Sequence, residues 1–340
     1  MKTKACILIG FMLLGTTQAF SQYSDFKYKK RNHSSDSWFL NSTKESRYFA
    51  GGIGLNLFNY FGDLTPKDKF IKNAFKVTRP GASLFGTYHL ANLFGIKGEI
   101  IYGRITGDDF NITPYASGSS TRKYVRNLSF KNDLIGLSLQ GYMNILSDPF
   151  EYYKRRDYNI YLMAGISMYY SNPKGKLDEN MESPNAKRWV ALRPLGTEGQ
   201  NHPNIGGKYN AVQFGIPFGL CARIKLSYRL DLNIEASLTY LLSDYIDDVG
   251  GSYVDLGALD TDLARAMSDR SQEQIAVMKN ELRDMDVIND FTNYIEYTSI
   301  YDGNNYRVLE GFGNSGDVRG GGRHDIIAIT SFKISYIFTK

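Results

Sequence analysis

The feature that most constrains the fold is a two-residue alternation of apolar and polar side chains that persists over long segments. Between Leu230 and Leu242 every even-numbered residue is apolar, and the odd-numbered residues from Asp231 to Thr239 are polar. In an extended strand, successive side chains point to opposite faces. The pattern therefore predicts a β-strand with one apolar face and one polar face.

Seven other segments carry the same alternation with varying clarity. Each segment is about a dozen residues long, whereas an ordinary strand has about 5 or 6 residues and a tilted transmembrane strand has about 9 to 11. This length favours strands that cross a membrane. The eight predicted strands are Arg47–Asn59, Arg79–Leu90, Phe94–Thr106, Asp133–Ile145, Tyr158–Tyr170, Val212–Ile224, Leu230–Leu242 and Ile326–Phe338.

The connections between these segments alternate in length. Short ones follow the second, fourth and sixth segments, and long ones follow the first, third, fifth and seventh. Aromatic residues such as Tyr102, Tyr170 and Tyr336 lie near segment ends, as expected at a membrane interface. Outer-membrane barrels have this pattern of short turns and long loops. The sequence therefore predicts an all-β fold, an eight-stranded antiparallel transmembrane β-barrel, with a soluble β-sandwich as the alternative.

Charge and composition exclude several other classes. The 40 Lys and Arg residues against 35 Asp and Glu give a net charge of +5 that is spread along the chain, without the basic patch of a nucleic-acid-binding protein. No apolar run of about 18 residues follows the N-terminus, so membrane-spanning helices are not expected. Cys221 is the single cysteine beyond the N-terminal segment, so we expect neither a disulfide nor a cysteine-based metal site.

The N-terminus has the features of an export signal. Lys2 and Lys4 precede an apolar stretch from Cys6 to Leu14, and small residues before Gln22 suit a signal peptidase. We expect residues 1–21 to be a signal peptide, with a buried N-terminal helix as the alternative. Residues 22–46 are then a polar periplasmic segment, and residues 47–340 form the barrel.

An even number of strands places both ends of a barrel on one side, which we expect to be the periplasmic side. The short turns would be periplasmic, and the long loops, including 171–210 and 243–325, extracellular. An eight-stranded barrel is only wide enough to be filled by side chains, so charges inside it must pair. Such charges form either a plugging ion-pair network or a path for protons or ions. The candidate interior charges are Lys97, Glu99, Arg223, Asp231, Glu235 and Lys333.

The last and longest loop changes its periodicity. Apolar residues recur at helical spacing within about 253–288, which predicts two short helices at Gly257–Ser268 and Gln272–Asp284. Ser271 is a candidate N-cap for the second helix, with Gln274 in the capping-box position.

The sequence carries no recognised catalytic motif. Ser83 and His89 lie on one face of the second predicted strand, so a lipid-modifying barrel enzyme is one alternative. A group of aspartates just after the seventh strand, from Asp244 to Asp255, leaves calcium binding open, although the spacing is not that of a calcium-binding loop. We expect no enzyme activity, no cofactor, no resident metal and no small-molecule substrate.

Four short stretches resemble one known family. They are Asn59–Leu64 (NYFGDL), Asn127–Gln140, Leu242–Asp255 and Gly316–Gly320 (GDVRG). Together they are similar to the PorG-like outer-membrane proteins of the type IX (Por) secretion and gliding machinery. This resemblance implies a non-enzymatic barrel that associates with a periplasmic ring made of a lipoprotein and its partner, and it brings no catalytic residues to transfer.

The turn after the fourth strand combines aromatic and basic residues. We expect it to contact an acidic partner surface or the anionic lipids of the outer membrane, with a simple membrane-interface girdle as an equal alternative. A stand-alone structural or adhesive barrel, acting through the extracellular loops, is the rival function. The candidate contact residues are Phe150, Tyr152, Tyr153, Lys154, Arg155 and Arg156.

Overall fold

The computed structural model describes residues 47–65, 78–112, 117–149, 152–177, 189–322 and 324–338. The expected signal peptide, the polar segment 22–46 and Phe150 lie outside these ranges. In chain order the strands are β1 Tyr48–Phe61, β2 Arg79–His89, β3 Phe94–Asp108, β4 Ser129–Asn144, β5 Tyr158–Tyr170, β6 Lys174–Lys176, β7 Trp189–Ala191, β8 Val212–Lys225, β9 Leu230–Leu241, β10 Ile275–Ala276, β11 Glu281–Leu282, β12 Tyr294–Thr298, β13 Asn305–Leu309 and β14 Ile326–Phe338. The α-helices are α1 Gly118–Arg126, α2 Asp262–Ser268 and α3 Met285–Phe291, and 3-10 turns occupy Asp109–Asn111, Tyr152–Lys154 and Leu256–Ala258.

Eight long strands close into a barrel. The hydrogen-bonded order is β3-β2-β1-β14-β9-β8-β5-β4, and β4 pairs with β3 to complete the ring. Every neighbouring pair is antiparallel. This confirms the predicted fold class, and the sandwich alternative is wrong because the strands form one closed sheet. The largest boundary difference is in β4, which begins at Ser129 rather than at Asp133.

The outward face of the barrel is an apolar belt. Ile53, Leu55 and Ile166 are 65%, 72% and 67% exposed, and similar side chains surround the barrel on every strand. Inward neighbours such as Asn56 and Ser167 are buried. An exposed apolar surface of this extent needs a nonaqueous environment, so the belt is the surface that faces lipid. No helix within the described ranges is both long and apolar enough to cross a membrane.

The two ends of the barrel differ. At the turn end lie Tyr48, Phe338 and the described parts of the short connections 90–93, 145–157 and 226–229. At the loop end lie the described parts of the connections 62–78, 109–128, 171–211 and 242–325.

The long connections form an ordered cap over the loop end, which we define as the described parts of 109–128, 171–211 and 242–325. Helix α1 begins after Ser117, whose side chain accepts a hydrogen bond from Ser120 N, and ends at Asn127 in the left-handed conformation. Val125 of α1 packs in a separate buried cluster with four other cap residues. Those residues are Tyr253, Ile288, Leu309 and Phe312.

The last loop carries two short α-helices. The first, α2, occupies only the second half of the predicted Gly257–Ser268, and the second lies elsewhere. The expected helix over Gln272–Asp284 is wrong, because this stretch forms the β10–β11 hairpin and α3 follows it. Asn280 adopts the left-handed conformation at φ 57°, which turns the chain back. The hairpin then places Arg283 so that it donates to the carbonyl oxygens of Tyr124 and Val125, both at 2.8 Å. These tertiary bonds outweigh the helical spacing of the apolar residues.

Candidate functional site

Four charged side chains meet across the middle of the barrel lumen. Lys97 and Glu99 come from β3, and Glu235 and Lys333 come from β9 and β14 on the opposite wall. Lys97 Nζ lies 2.8 Å from Glu235 and 3.2 Å from Glu99. Lys333 Nζ lies 2.6 Å from each of the same two carboxylates. We call these four residues the central ion cluster; its formal charge is zero.

Packing around the central ion cluster leaves no room for larger neighbours. At Gly54, an added Cβ would lie 2.7 Å from Lys333 Cγ and 2.7 Å from Ser83 Oγ. A glycine in β1 therefore makes the space that the lysine stem occupies. All four charged side chains are at most 6% exposed. Removing one partner from such a buried pair is strongly destabilising, because it leaves an uncompensated charge.

A second group of charges closes the turn end. Arg155 donates from Nη2 to Asp231 Oδ1 at 2.7 Å, and from Nη1 and Nη2 to the carbonyl oxygens of Tyr228 and Ser227. Arg223 of β8 lies 3.1 Å from Asp148 and 4.0 Å from Asp231. We call Asp148, Arg155, Arg223 and Asp231 the turn-end ion cluster. Two cations and two anions again balance.

The residues of the expected contact turn therefore have two different positions: Arg155 lies inside the barrel, and its neighbours lie at the surface. The Arg155 side chain is fully buried in the barrel mouth, so its assignment as a surface contact residue is wrong. Asp231 and four backbone carbonyl groups hold it inside. Tyr153, Lys154 and Arg156 are exposed, and Tyr152 is half-buried. The Tyr152 ring packs 6.2 Å from that of Tyr48.

Aromatic side chains fill the lumen near the turn-end ion cluster. His89 stacks on Tyr48 with ring centroids 3.9 Å apart, and Tyr142 stacks on Tyr161 at 5.1 Å. Six residues of extended β2 separate Ser83 from His89, about 20 Å of chain. The Ser/His pair that the lipid-modifying alternative needs does not form, because Ser83 lies near the central ion cluster and His89 lies at the turn end.

Large apolar side chains fill the loop end of the lumen. Phe58, Phe130 and Leu134 are completely buried and belong to one cluster with Tyr60 and Leu241. Two cavities of about 20 Å³ each lie inside the barrel, one beside each ion cluster. A cavity of that size holds a single water molecule. The arrangement supports a plugging ion-pair network rather than an ion path.

Asp247 and Asp248, two of the aspartates after β9, accept hydrogen bonds from protein groups. Tyr60 Oη lies 2.5 Å from Asp247 Oδ2 and 2.9 Å from Asp325 Oδ1. Asp248 accepts from Thr197 at 2.5 Å and from Tyr209 at 2.6 Å. Burial and the neighbouring carboxylate of Asp325 hold the pKa of Asp247 well above its usual range. Burial also raises the pKa of Asp248 to about 6, although nearby Arg319 opposes the shift.

Calcium binding is the alternative that the sequence leaves open for these aspartates. Among the residues that the structure describes, no group of three or more His, Cys, Asp or Glu side chains is arranged to hold a metal ion. Asp255 instead accepts from Gly257 N at the start of a 3-10 turn.

Buried arginines that sequence reasoning missed brace the cap. Arg126 of α1 forms two bonds to Asp109, at 2.8 and 2.9 Å, and also donates to the carbonyl oxygen of Arg319. Arg319 in turn donates to Glu198 at 2.9 Å. Arg126 lies at the end of the short helix α1, and Glu198 and Arg319 lie in loops. No periodicity in the sequence identified any of them. Arg319 alone falls within a stretch noted for its family resemblance.

Together these observations define the class of protein: a small outer-membrane β-barrel that spans the bilayer with eight strands and has a filled interior. No protein-family model matches the sequence, and no curated protein matches it either.

Several solved structures are similar in fold. Ail, the attachment invasion locus protein of Yersinia pestis, has 10% sequence identity to this chain. The match covers 86% of this chain and 99% of Ail, with a TM-score of 0.33. Neisserial surface protein A is 6% identical, with coverages of 85% and 97% and a TM-score of 0.35. The outer membrane protein OprG from Pseudomonas aeruginosa is 7% identical, with coverages of 86% and 96% and a TM-score of 0.33.

Proposed function

We propose that this protein is a non-enzymatic outer-membrane barrel that serves the type IX secretion machinery as an accessory. It would act at its turn end. This end faces the periplasm if the chain inserts from the periplasm and both of its termini stay there. The partner is the periplasmic ring lipoprotein complex that the family resemblance implies. The proposal needs a rigid surface at the turn end and no chemistry in the lumen.

The observation that carries this proposal is the construction of the turn at 152–156. Arg155 is anchored inside the barrel by Asp231, while Tyr153, Lys154 and Arg156 on either side of it are exposed. Arg156 Nε donates to the Ser147 carbonyl at 2.9 Å, which restrains it further. A preorganised surface loses less conformational entropy when a partner binds. Its basic and aromatic groups suit an acidic protein surface.

The test is recovery of the tagged full chain from mildly crosslinked outer membranes, with the co-purifying proteins identified. We expect the wild type to recover the ring lipoprotein and its partner, and we expect Lys154→Glu/Arg156→Glu to lose both. The matched control is Lys208→Glu/Lys279→Glu, which reverses two exposed charges on the cap and should recover the partners normally. Recovery of the barrel alone from the wild type would contradict the proposal.

A second candidate function is adhesion or scaffolding through the cap. It is favoured by apolar side chains exposed far from the lipid belt: Ile300 at the tip of the β12–β13 hairpin is 85% exposed and Leu282 of β11 is 78% exposed. Ile300→Ser/Leu282→Ser should then abolish attachment of expressing cells to their target surface. Under the secretion proposal the same variant leaves partner recovery intact.

A further inference from the structure

Basic side chains lie on the outward face of the barrel just beyond the lipid belt. β6 continues β5 along β4 in the same register, since Ile135 pairs with Tyr170 and Lys131 pairs with Lys174. Ile135 and Tyr170 are 56% and 51% exposed and belong to the belt. Lys131 lies four positions from Ile135 along β4, so it shares the outward face. Lys174 is directly paired with Lys131 and therefore points to the same side. They stand at the loop-side edge of the belt.

A third basic side chain, Arg104, and one carboxylate, Asp133, lie beside the two lysines. Arg104 of β3 lies directly opposite Asp133 of β4, and the two side chains form an ion pair at 2.5 Å. Asp133 is two residues from Lys131 on the same face, which is about 7 Å along the strand. We call Arg104, Lys131 and Lys174 the basic rim cluster. With Asp133 included, its net charge is +2.

The opposition of Lys131 and Lys174 is unfavourable in the protein alone. Directly opposed residues of an antiparallel pair have Cβ atoms about 5 Å apart, and like charges in that position are destabilising. Asp133, the carboxylate beside them, is already bound to Arg104. An anion placed between the two lysines would remove the repulsion.

Aromatic side chains place this surface at the level of lipid headgroups. Lys131 Nζ lies 3.7 Å from the centroid of the Trp189 ring. Tyr102, which pairs with Ile135, is 52% exposed. Trp and Tyr concentrate at the boundary between hydrocarbon and headgroups. The basic rim cluster therefore lies beside polar headgroups, with the apolar belt directly below it to receive acyl chains.

We propose that the basic rim cluster binds the phosphate monoester of a membrane glycolipid whose acyl chains lie along the belt below Lys131. Two opposed ammonium groups and a guanidinium match a dianionic monoester better than the single charge of a phosphodiester. Arg and Lys are the side chains that bind phosphate most strongly. The assignment to an outer-leaflet lipid rests on the proposed function, because it takes the loop end as the outward end.

The test uses the folded full-length chain in detergent micelles and native mass spectrometry. The probes are bis-phosphorylated lipid A, the same lipid after phosphatase treatment, phosphatidylglycerol and inorganic phosphate. We expect lipid A to bind, and Lys131→Gln/Lys174→Gln to weaken its binding about thirtyfold, from about 1 kcal/mol for each lost charge. The dephosphorylated lipid and inorganic phosphate should bind far more weakly than lipid A. The first lacks the phosphate for the basic rim cluster, and the second lacks the acyl chains for the belt.

The matched control is Lys208→Gln/Lys279→Gln, which removes two exposed cap charges and should leave lipid A binding unchanged. The difference in electrophoretic mobility between unheated and heated samples shows whether each variant is folded. Equal binding of the dephosphorylated lipid or of phosphatidylglycerol, or unchanged binding by the Lys131→Gln/Lys174→Gln variant, would overturn the assignment. The measurement needs neither the secretion partners nor an orientation in the membrane, so its failure is distinguishable from failure of the proposed function.

Discussion

Arg155 and Asp231 meet inside the turn end of the barrel, where the guanidinium donates to both carboxylate oxygens, from Nη2 to Oδ1 at 2.7 Å and from Nε to Oδ2 at 3.2 Å. One residue belongs to a turn and the other to β9, so the bond joins the 145–157 connection to the barrel wall. The remaining donors of Arg155 bind carbonyl groups, including that of Tyr228 in the next turn. Two of the three short turns are thus fastened together at one buried point.

The first prediction concerns this buried point. Arg155→Gln should lower the free energy of unfolding by about 3–5 kcal/mol, because Asp231 would stay buried with only the more distant Arg223 beside it. Arg156→Gln, a neighbouring exposed change, should have an effect below about 1 kcal/mol. Urea unfolding of both variants in the same detergent makes the comparison. Equal stability of the two variants would show that the buried bond does not hold the turn.

The second prediction concerns the central ion cluster. Glu235→Gln removes one of two carboxylates that neutralise Lys97 and Lys333, and it should destabilise the barrel by about 3–5 kcal/mol. Adding Lys333→Met should restore part of the loss, because one cation then faces one anion again. Urea unfolding of the single and double variants forms a double-mutant cycle. A double variant less stable than Glu235→Gln alone would argue against mutual neutralisation.

The barrel could be predicted from the sequence because apolar and polar side chains alternate along each of its strands. A two-residue repeat fixes which side chains face inward, so the alternation around Asp231 and Glu235 is enough to place both in the lumen. Lys97, Glu99, Arg223 and Lys333 lie inside for the same reason. Their pairing across the lumen could not be predicted, since it depends on which strands stand opposite each other.

The turn and the cap could not be predicted from the sequence in the same way. Arg155 has the sequence context of a surface residue in a basic turn, and only the three-dimensional position of Asp231 turns it inward. Helices α2 and α3 have 7 residues each, too short to be stable without tertiary packing. Local spacing therefore misassigned Gln272–Asp284, where the bonds made by Arg283 decide the conformation.

The third prediction is that the protein does not conduct ions. Phe58, Phe130 and Leu134 fill the loop end of the lumen. The two ion clusters and the aromatic side chains near the turn end occupy the rest, apart from two cavities of about 20 Å³. The purified protein in planar bilayers should give no conductance steps at neutral pH, with a wide porin measured in parallel as the positive control. Glu235→Gln should be equally silent, since the apolar layer remains. Discrete steps from the folded wild type would revive the interpretation of the interior charges as an ion path.

The fourth prediction is a pH dependence of the cap. Burial and neighbouring carboxylates raise the pKa of Asp247 and of Asp325, and burial raises that of Asp248 to about 6. A carboxyl group with a raised pKa favours the folded state fully below the unfolded value of about 3.9. That contribution is lost as pH rises through the folded values. The cap should therefore resist proteolysis better at pH 5 than at pH 8.

Asp247→Asn tests the cause of this dependence, because the amide cannot ionise yet still offers an oxygen to Tyr60. The variant should show a weaker dependence on pH than the wild type, and it should lose less of its resistance to proteolysis as the pH rises. Asp260→Asn, at an exposed position in the same loop, is the matched control and should follow the wild type. If Asp247→Asn also followed the wild type, the buried carboxyl groups would not be the source of the effect.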